Sequence, residues 1–208
     1  MNSKEIVGHF NHLFPDANCE LEFGSNFELL VAVILSAQCT DKRVNLVTKE
    51  LFKIANTPQQ FECMEIEELE KLIYSCGFYH NKAKNIILAS KDICEKFGGE
   101  VPSNFDDLTS LAGVGRKTAN VMQSLAFNQD AFAVDTHVLR VSNRLGIAST
   151  NNPDVCERSL TKFFDKSDWS KLHYQMVLFG RYKCKSQNPD CADCPFQKIC
   201  KYFKEKNG

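Results

Sequence analysis

The amino-acid sequence predicts an all-α fold, and three observations carry that expectation. Apolar residues recur at helical spacing. Alternating strand patterns are weak, with no Asn-Gly or Asp-Gly turn between apolar runs. Glycines punctuate the periodic segments. Residues 26–36 are almost wholly apolar, as in a central helix. In residues 65–74, Ile66, Leu69, Leu72 and Ile73 form a stripe opposite Glu67, Glu68, Glu70 and Lys71. In residues 82–97, Ala83, Ile86, Ile87, Ala89, Ile93 and Cys94 form another, and Gly98-Gly99 stops it. Ser103, just after Pro102 and with Asp106 three residues on, reads as an N-cap for a short helix to about Leu111. Gly113-Val114-Gly115 breaks the chain there, and a further helix runs from Arg116 to about Phe127. Asp135 reads as the N-cap of a helix through Arg144, closed by Gly146. The expected total is about ten helices and essentially no sheet.

At 208 residues, the chain is long enough for one large domain or two small ones at roughly 150 residues per domain. Its 43% hydrophobic and 25% charged residues are globular proportions. The balance of 25 Lys plus Arg against 26 Asp plus Glu excludes a uniformly basic polyanion binder, though not a local basic surface. From Lys171 onward eight basic residues face three acidic ones. The first residues carry Lys4, Glu5, His9 and His12 and lack the apolar core of a signal peptide. The longest apolar run, residues 29–35, is far short of a membrane span. The expectation is a cytoplasmic protein with no membrane partner.

Three features carry chemistry. Leu111-Ala112-Gly113-Val114-Gly115-Arg116-Lys117-Thr118 places two glycines in a tight reversal between helices. Backbone N–H groups at the start of the second helix then point outward, with partial positive charge. That suits a phosphate and reads no sequence; an ordinary helix–helix turn has the same pattern. Lys117 stands in the first turn of that helix, where the positive end of the dipole favours a neutral, nucleophilic amine able to form a Schiff base. Asp135, in Ala133-Val134-Asp135-Thr136-His137, could stabilise a cationic sugar transition state. A solvated lysine and a plain cap are the bland alternatives, and spacing alone does not bring the two together.

The third feature is Cys184-x6-Cys191-x2-Cys194-x5-Cys200, four of the ten cysteines within 17 residues. That density outside a secreted protein indicates a metal site more than disulfides. One close pair flanked by unequal gaps fits a single cubane cluster better than a zinc ribbon, with zinc or free thiols as alternatives. Lys183, Lys185, Lys198 and Lys201 surround the loop as phosphate contacts or as a solvated face. Cys19, Cys39, Cys63, Cys76, Cys94 and Cys156 are scattered through amphipathic sequence and read as small apolar residues, and His80, Trp169 and His173 as structural.

Together with Leu35-Ser36-Ala37-Gln38, Gly77-Phe78-Tyr79 and Gly180-Arg181-Tyr182, these motifs in this order resemble the endonuclease III family of DNA glycosylases. The resemblance spans nearly the whole chain. It implies a six-helix barrel with the helix–hairpin–helix over residues 19–130. It also implies a second domain, residues 1–18 and 131–208, holding a [4Fe-4S] cluster on Cys184, Cys191, Cys194 and Cys200. Lys117 and Asp135 would face each other across a cleft. The implied activity is bifunctional: removal of oxidised pyrimidines from double-stranded DNA through a Lys117 Schiff base, then β-elimination 3′ to the abasic site. Gln38 and Phe78 would enter the duplex, although the family carries an aliphatic residue at the position of Phe78. Gly113, Gly115, Arg116 and Lys185 would contact DNA, and the enzyme would act as a monomer at the nucleoid. Adenine-mismatch glycosylases resemble the chain less, because they generally lack a lysine at the position of Lys117; a monofunctional thymine-mismatch glycosylase is a nearer alternative, against which the lysine also argues. A purely DNA-binding, redox-sensing protein would leave Lys117 without covalent chemistry.

Overall fold

The computed structural model describes residues 2–207; among them are twelve α-helices and no strand. The chain divides into two compact units, Glu20–Gln129 and Met1–Cys19 with Asp130–Gly208. No helix among the described residues is long and apolar enough to cross a membrane.

The Glu20–Gln129 unit is built around α2 (Asn26–Ser36). Phe27 and Leu29 through Leu35 are all buried, so this helix has no polar face to give to solvent. Ser25 caps it, accepting the Glu28 N–H at 3.1 Å. It is covered by α3 (Asp41–Ile54), α6 (Tyr79–Phe97) and α8 (Arg116–Phe127). Between them lie α4 (Pro58–Glu62), α5 (Ile66–Ile73) and α7 (Phe105–Ser110). The five-residue α4 has too few residues to show a period. It persists through Pro58 in its first turn and a complete capping box between Thr57 and Gln60. Gly98 ends α6 at φ +62°, as its position after the apolar stripe predicts.

Two sequence expectations need correction. The cap of α7 is Asn104 and not Ser103: the Asn104 side chain accepts the Asp107 N–H at 2.9 Å, one residue further along. Among the described residues the helix count is twelve rather than about ten, and the short α4 and the end helices α1 (Ser3–Leu13) and α12 (Lys201–Asn207) are among those that no named stripe or cap marked in the sequence.

The other unit joins α1 to α9 (Thr136–Leu145), α10 (Pro153–Phe163), α11 (Trp169–Leu178) and α12. The chain runs from α11 directly into one π-helical segment, Phe179–Lys183. The core is aromatic. The Phe10 ring meets Phe179 edge-on at 5.6 Å and Phe196 at 4.8 Å, and Phe179 and Phe196 lie 5.2 Å apart. Phe196 sits between Cys194 and Cys200, so the cysteine loop is pinned to the core by its own ring. The residues read as structural behave so. The Trp169 Nε1–H donates to the Phe164 carbonyl at 3.0 Å, buried His173 has Nδ1 2.8 Å from the Ala133 carbonyl, and His80 meets Glu70.

Phe10→Ala removes a fully buried ring touching two others, and should cost about 3–5 kcal/mol. Urea unfolding followed through Trp169, the one tryptophan and a neighbour of this core, reads the loss.

Candidate active site

The glycine turn forms as its sequence requires. Leu111 and Val114 are buried and the Val114 N–H donates to the Leu111 carbonyl at 3.1 Å, which folds residues 111–115 back between α7 and α8. Gly113 has φ +79°, and a Cβ there would lie 2.9 Å from Asn85 Cβ. Gly115 differs: its φ is −90°, and a Cβ would meet nothing within 4 Å. This glycine is the N-cap of α8, and no side-chain hydrogen bond caps the helix there. The first N–H groups of α8 therefore have no side-chain cap. Arg116 lies with its guanidinium 5.0 Å from the Phe105 ring centre, fixing the side chain back along α7. Lys117 follows it, exposed, in the first turn.

Gln38 and Phe78 stand on neighbouring turns of the same unit. Both are exposed, Phe78 at 66%, and both hold left-handed backbone, with φ +53° and +55°. A Cβ on Gly77 would lie 3.9 Å from the Gln38 carbonyl, so the two turns lie close together. Beneath them is a residue that the sequence reading passed over. Lys82, 5% exposed, donates from Nζ to the Leu35 carbonyl at 2.8 Å and the Cys76 carbonyl at 3.1 Å. Burial pushes its ammonium pKa down, while the neighbouring Cys39 and Cys76 thiols act the other way. Burial also raises the Cys76 thiol to about 12, helped by its hydrogen bond with Cys39. The signal was present: Lys82 stands four residues before Ile86 and eleven before Ile93, on the apolar face of α6.

Asp135 belongs to the other unit and is the N-cap of α9. Its Oδ1 accepts the N–H groups of His137 and Val138, each at 2.8 Å. The opposite carboxylate oxygen takes no part in the cap. One helical turn on, Arg140 donates to the Gly180 carbonyl at 2.7 Å and to the Cys184 carbonyl at 3.1 Å. A Cβ on Gly180 would sit 2.8 Å from His137 Cβ, which makes the glycine of Gly180-Arg181-Tyr182 a point of close helix approach. Burial, then Arg144, lower the Arg140 pKa, and Cys184 and Asp135 oppose them.

Arg144 continues this row. It donates to the carbonyls of Cys184, Lys185 and Ser186 at 3.3, 2.6 and 3.0 Å, and to Cys184 Sγ at 3.3 Å, while lying over the Tyr202 ring. The four sulfurs border one small pocket also lined by Arg144, Phe196 and Phe203. Cys200 Sγ receives the Phe203 N–H at 3.4 Å, and a backbone N–H from Phe196 serves Cys194. Burial raises the thiols of Cys194 and Cys200, and those N–H groups pull them back down. Among the described residues no three His, Cys, Asp or Glu side chains converge closely enough to hold a single ion. Lys185 is exposed, and Lys183 meets Asp190 at 3.1 Å.

Residues 31–166 match the HhH-GPD superfamily of base excision DNA repair proteins. Endonuclease III of Bacillus subtilis is 49% identical over 205 residues, 97% of this chain and 94% of its own. That of Rickettsia conorii is 44% identical over 203 residues, 96% and 97% of the two chains. A solved trapped endonuclease III–DNA covalent intermediate has a TM-score of 0.94 at 46% identity, covering 99% of each chain. A thermostable thymine-DNA glycosylase, 20% identical with a TM-score of 0.87, shares the fold. By class the molecule is thus a helix–hairpin–helix DNA glycosylase, an enzyme of base-excision repair. More narrowly, its identity to these relatives over almost its full length means that it belongs to the endonuclease III family.

The two glycines of the hairpin should respond differently to alanine. Gly113→Ala meets both a left-handed backbone and Asn85, and should cost about 1–2 kcal/mol. Gly115→Ala should stay within about 0.5 kcal/mol of the parent. Thermal melting of the two variants side by side checks this.

Proposed function

We propose that the enzyme is a bifunctional glycosylase and abasic-site lyase that excises oxidised pyrimidines from double-stranded DNA, with Lys117 as the nucleophile and Asp135 as its partner. The observation that carries the reading is an exposed lysine in the first turn of a helix that starts at a bare glycine cap. It agrees with a 46% identical relative having been trapped as a covalent DNA intermediate.

The damaged nucleotide must leave the stack before its sugar carbon can be reached. Gln38 and Phe78 are exposed on adjoining turns, as side chains that fill the vacated space would be. The N–H groups at the start of α8 hold one phosphate, with Gly115 leaving room for the backbone and Arg116 adding charge, while Lys185 contacts DNA from the cysteine loop. The Lys117 amine attacks C1′. A C–N bond forms, the glycosidic bond breaks, and the base departs with its electron pair and takes up a proton. The free carboxylate oxygen of Asp135 stabilises the positive charge that builds on the sugar, while Oδ1 stays committed to the α9 cap. Ring opening gives a Schiff base between Nζ and C1′. The iminium draws electrons from the C2′–H bond, the proton leaves, and the C3′–O bond breaks. Water then releases Lys117.

A [4Fe-4S] cluster fits the cysteine loop. Each thiolate of a cubane binds a different iron, and the four cysteines line one small pocket, as ligands spread around a cluster would. The Arg144 and Phe203 N–H donors are the kind that stabilise thiolates. Cys184, Cys191, Cys194 and Cys200 would hold the cluster, and its contribution is to order the loop that carries Lys183 and Lys185. The enzyme would act as a monomer at the nucleoid.

Borohydride trapping on duplex DNA containing thymine glycol tests the chemistry. The parent should give a covalent band and Lys117→Gln none, while still binding the duplex; an equal band from Lys117→Gln would refute the lyase role. Asp135→Asn keeps an Oδ1 acceptor for the cap, so it should melt near the parent while base release slows by about 10²–10⁴-fold in single-turnover assays. Cys194→Ser should lose the visible iron–sulfur absorbance and the ordering of its loop, read by proteolysis.

A further inference from the structure

A buried lysine whose partners are two main-chain carbonyls is uncommon, because burial favours the neutral form and carbonyls supply no countercharge. Lys82 is in this situation. Its positions in the chain explain the arrangement. Leu35, whose carbonyl it holds, is in the last turn of α2, three residues before Gln38. Cys76, whose carbonyl it also holds, lies two residues before Phe78. The side chain therefore ties the roots of two separate turns to one ammonium. The turns also lie side by side, close enough that a Cβ on Gly77 would reach the Gln38 carbonyl at 3.9 Å. Both Gln38 and Phe78 are held in left-handed backbone, a conformation that a loose turn of non-glycine residues abandons. The groups facing the ammonium are the Cys39 and Cys76 thiols, with Arg43 acting on Cys76 from α3.

We propose that Lys82 is a positioning residue that couples the Gln38 turn and the Phe78 turn into one rigid pair for entry into the duplex. The proposal rests on the reading above that both side chains enter DNA. Lys82 touches no reacting atom; it acts through the two turns. Opening a duplex requires both side chains to arrive together, so the cost of losing the clamp falls on the step in which the bases separate rather than on first encounter.

The test uses the full-length, cluster-loaded protein and a duplex with a tetrahydrofuran abasic analogue opposite 2-aminopurine, whose fluorescence rises when it unstacks. The parent should raise the signal, and Gln38→Ala and Phe78→Ala should each reduce the rise. Lys82→Met, which keeps the length and loses the donors, should reduce the rise per bound complex about threefold or more. On thymine-glycol duplex it should lower kcat about tenfold to a hundredfold with KM little changed. Lys82→Arg, which keeps donors, should recover part of both. A merely structural lysine would lower the melting temperature and leave the signal per bound complex intact. That outcome, with Gln38→Ala and Phe78→Ala still impaired, overturns the role of Lys82 and leaves the reading of the turns standing. Undiminished signals from Gln38→Ala and Phe78→Ala overturn both. Should Lys82→Met fail to fold, Lys82→Gln, too short to span both carbonyls, replaces it under the same criteria.

Discussion

A helix that is apolar on every side must be enclosed, and α2 imposes that constraint on the Glu20–Gln129 unit. Eight consecutive or near-consecutive buried residues, Phe27 and Leu29 through Leu35, leave no face for water. The elements that enclose it carry the groups singled out for function. α8 presents Lys117 behind the glycine turn, and α6 begins at Phe78. The end of α2 itself leads into Gln38. The last turn of a buried helix also has carbonyls with no partner in the helix. A lysine ammonium, reaching the Leu35 carbonyl from α6, meets that need.

The other unit faces a different version of the same accounting. Residues 184–186 run without regular structure, so their carbonyls need donors from elsewhere. Arg140 and Arg144, four residues apart on α9, supply them, and Asp135 at the head of the same helix satisfies its first N–H groups. One helix thus carries the carboxylate and fixes the start of the cysteine loop. A guanidinium suits this task because its fan of donors serves several carbonyls at once, which an ammonium at the same place could not do at such spacing.

Much of the fold could be read from residues whose physics is local. Gly98, Gly113 and Gly146 all take positive φ, and each marks the end of an apolar stripe or a reversal. Asp135 caps α9 as its place before Thr136 indicates. The hairpin, the four-cysteine loop and the helical class are likewise visible in order and spacing. What escaped reading depends on contacts across long separations. Gln38 and Phe78 adopt left-handed backbone although neither residue type announces it. The position of Lys82 on the apolar face of α6 indicates burial, but its partner, a carbonyl 47 residues away, is set only by the fold. Arg140 and Arg144 reach carbonyls some 40 residues on. α4 is too short for a period, and Ser103 yields to Asn104 because two adjacent cap formers compete for one site.

The order of elements along the chain has a consequence for how the molecule is made. α1 packs with α11, and Phe10 with Phe179 and Phe196, while the whole Glu20–Gln129 unit lies between them in sequence. At a translation rate of about 5–20 residues per second, Phe179 leaves the ribosome roughly 10–30 s after Phe10. For that interval the apolar face of α1, Ile6 and Phe10, lacks its Phe179 and Phe196 partners, and the intervening unit acquires every residue of its own core before they arrive. α1 is therefore made well before the helix it docks on, and it completes its packing only when α11 has emerged.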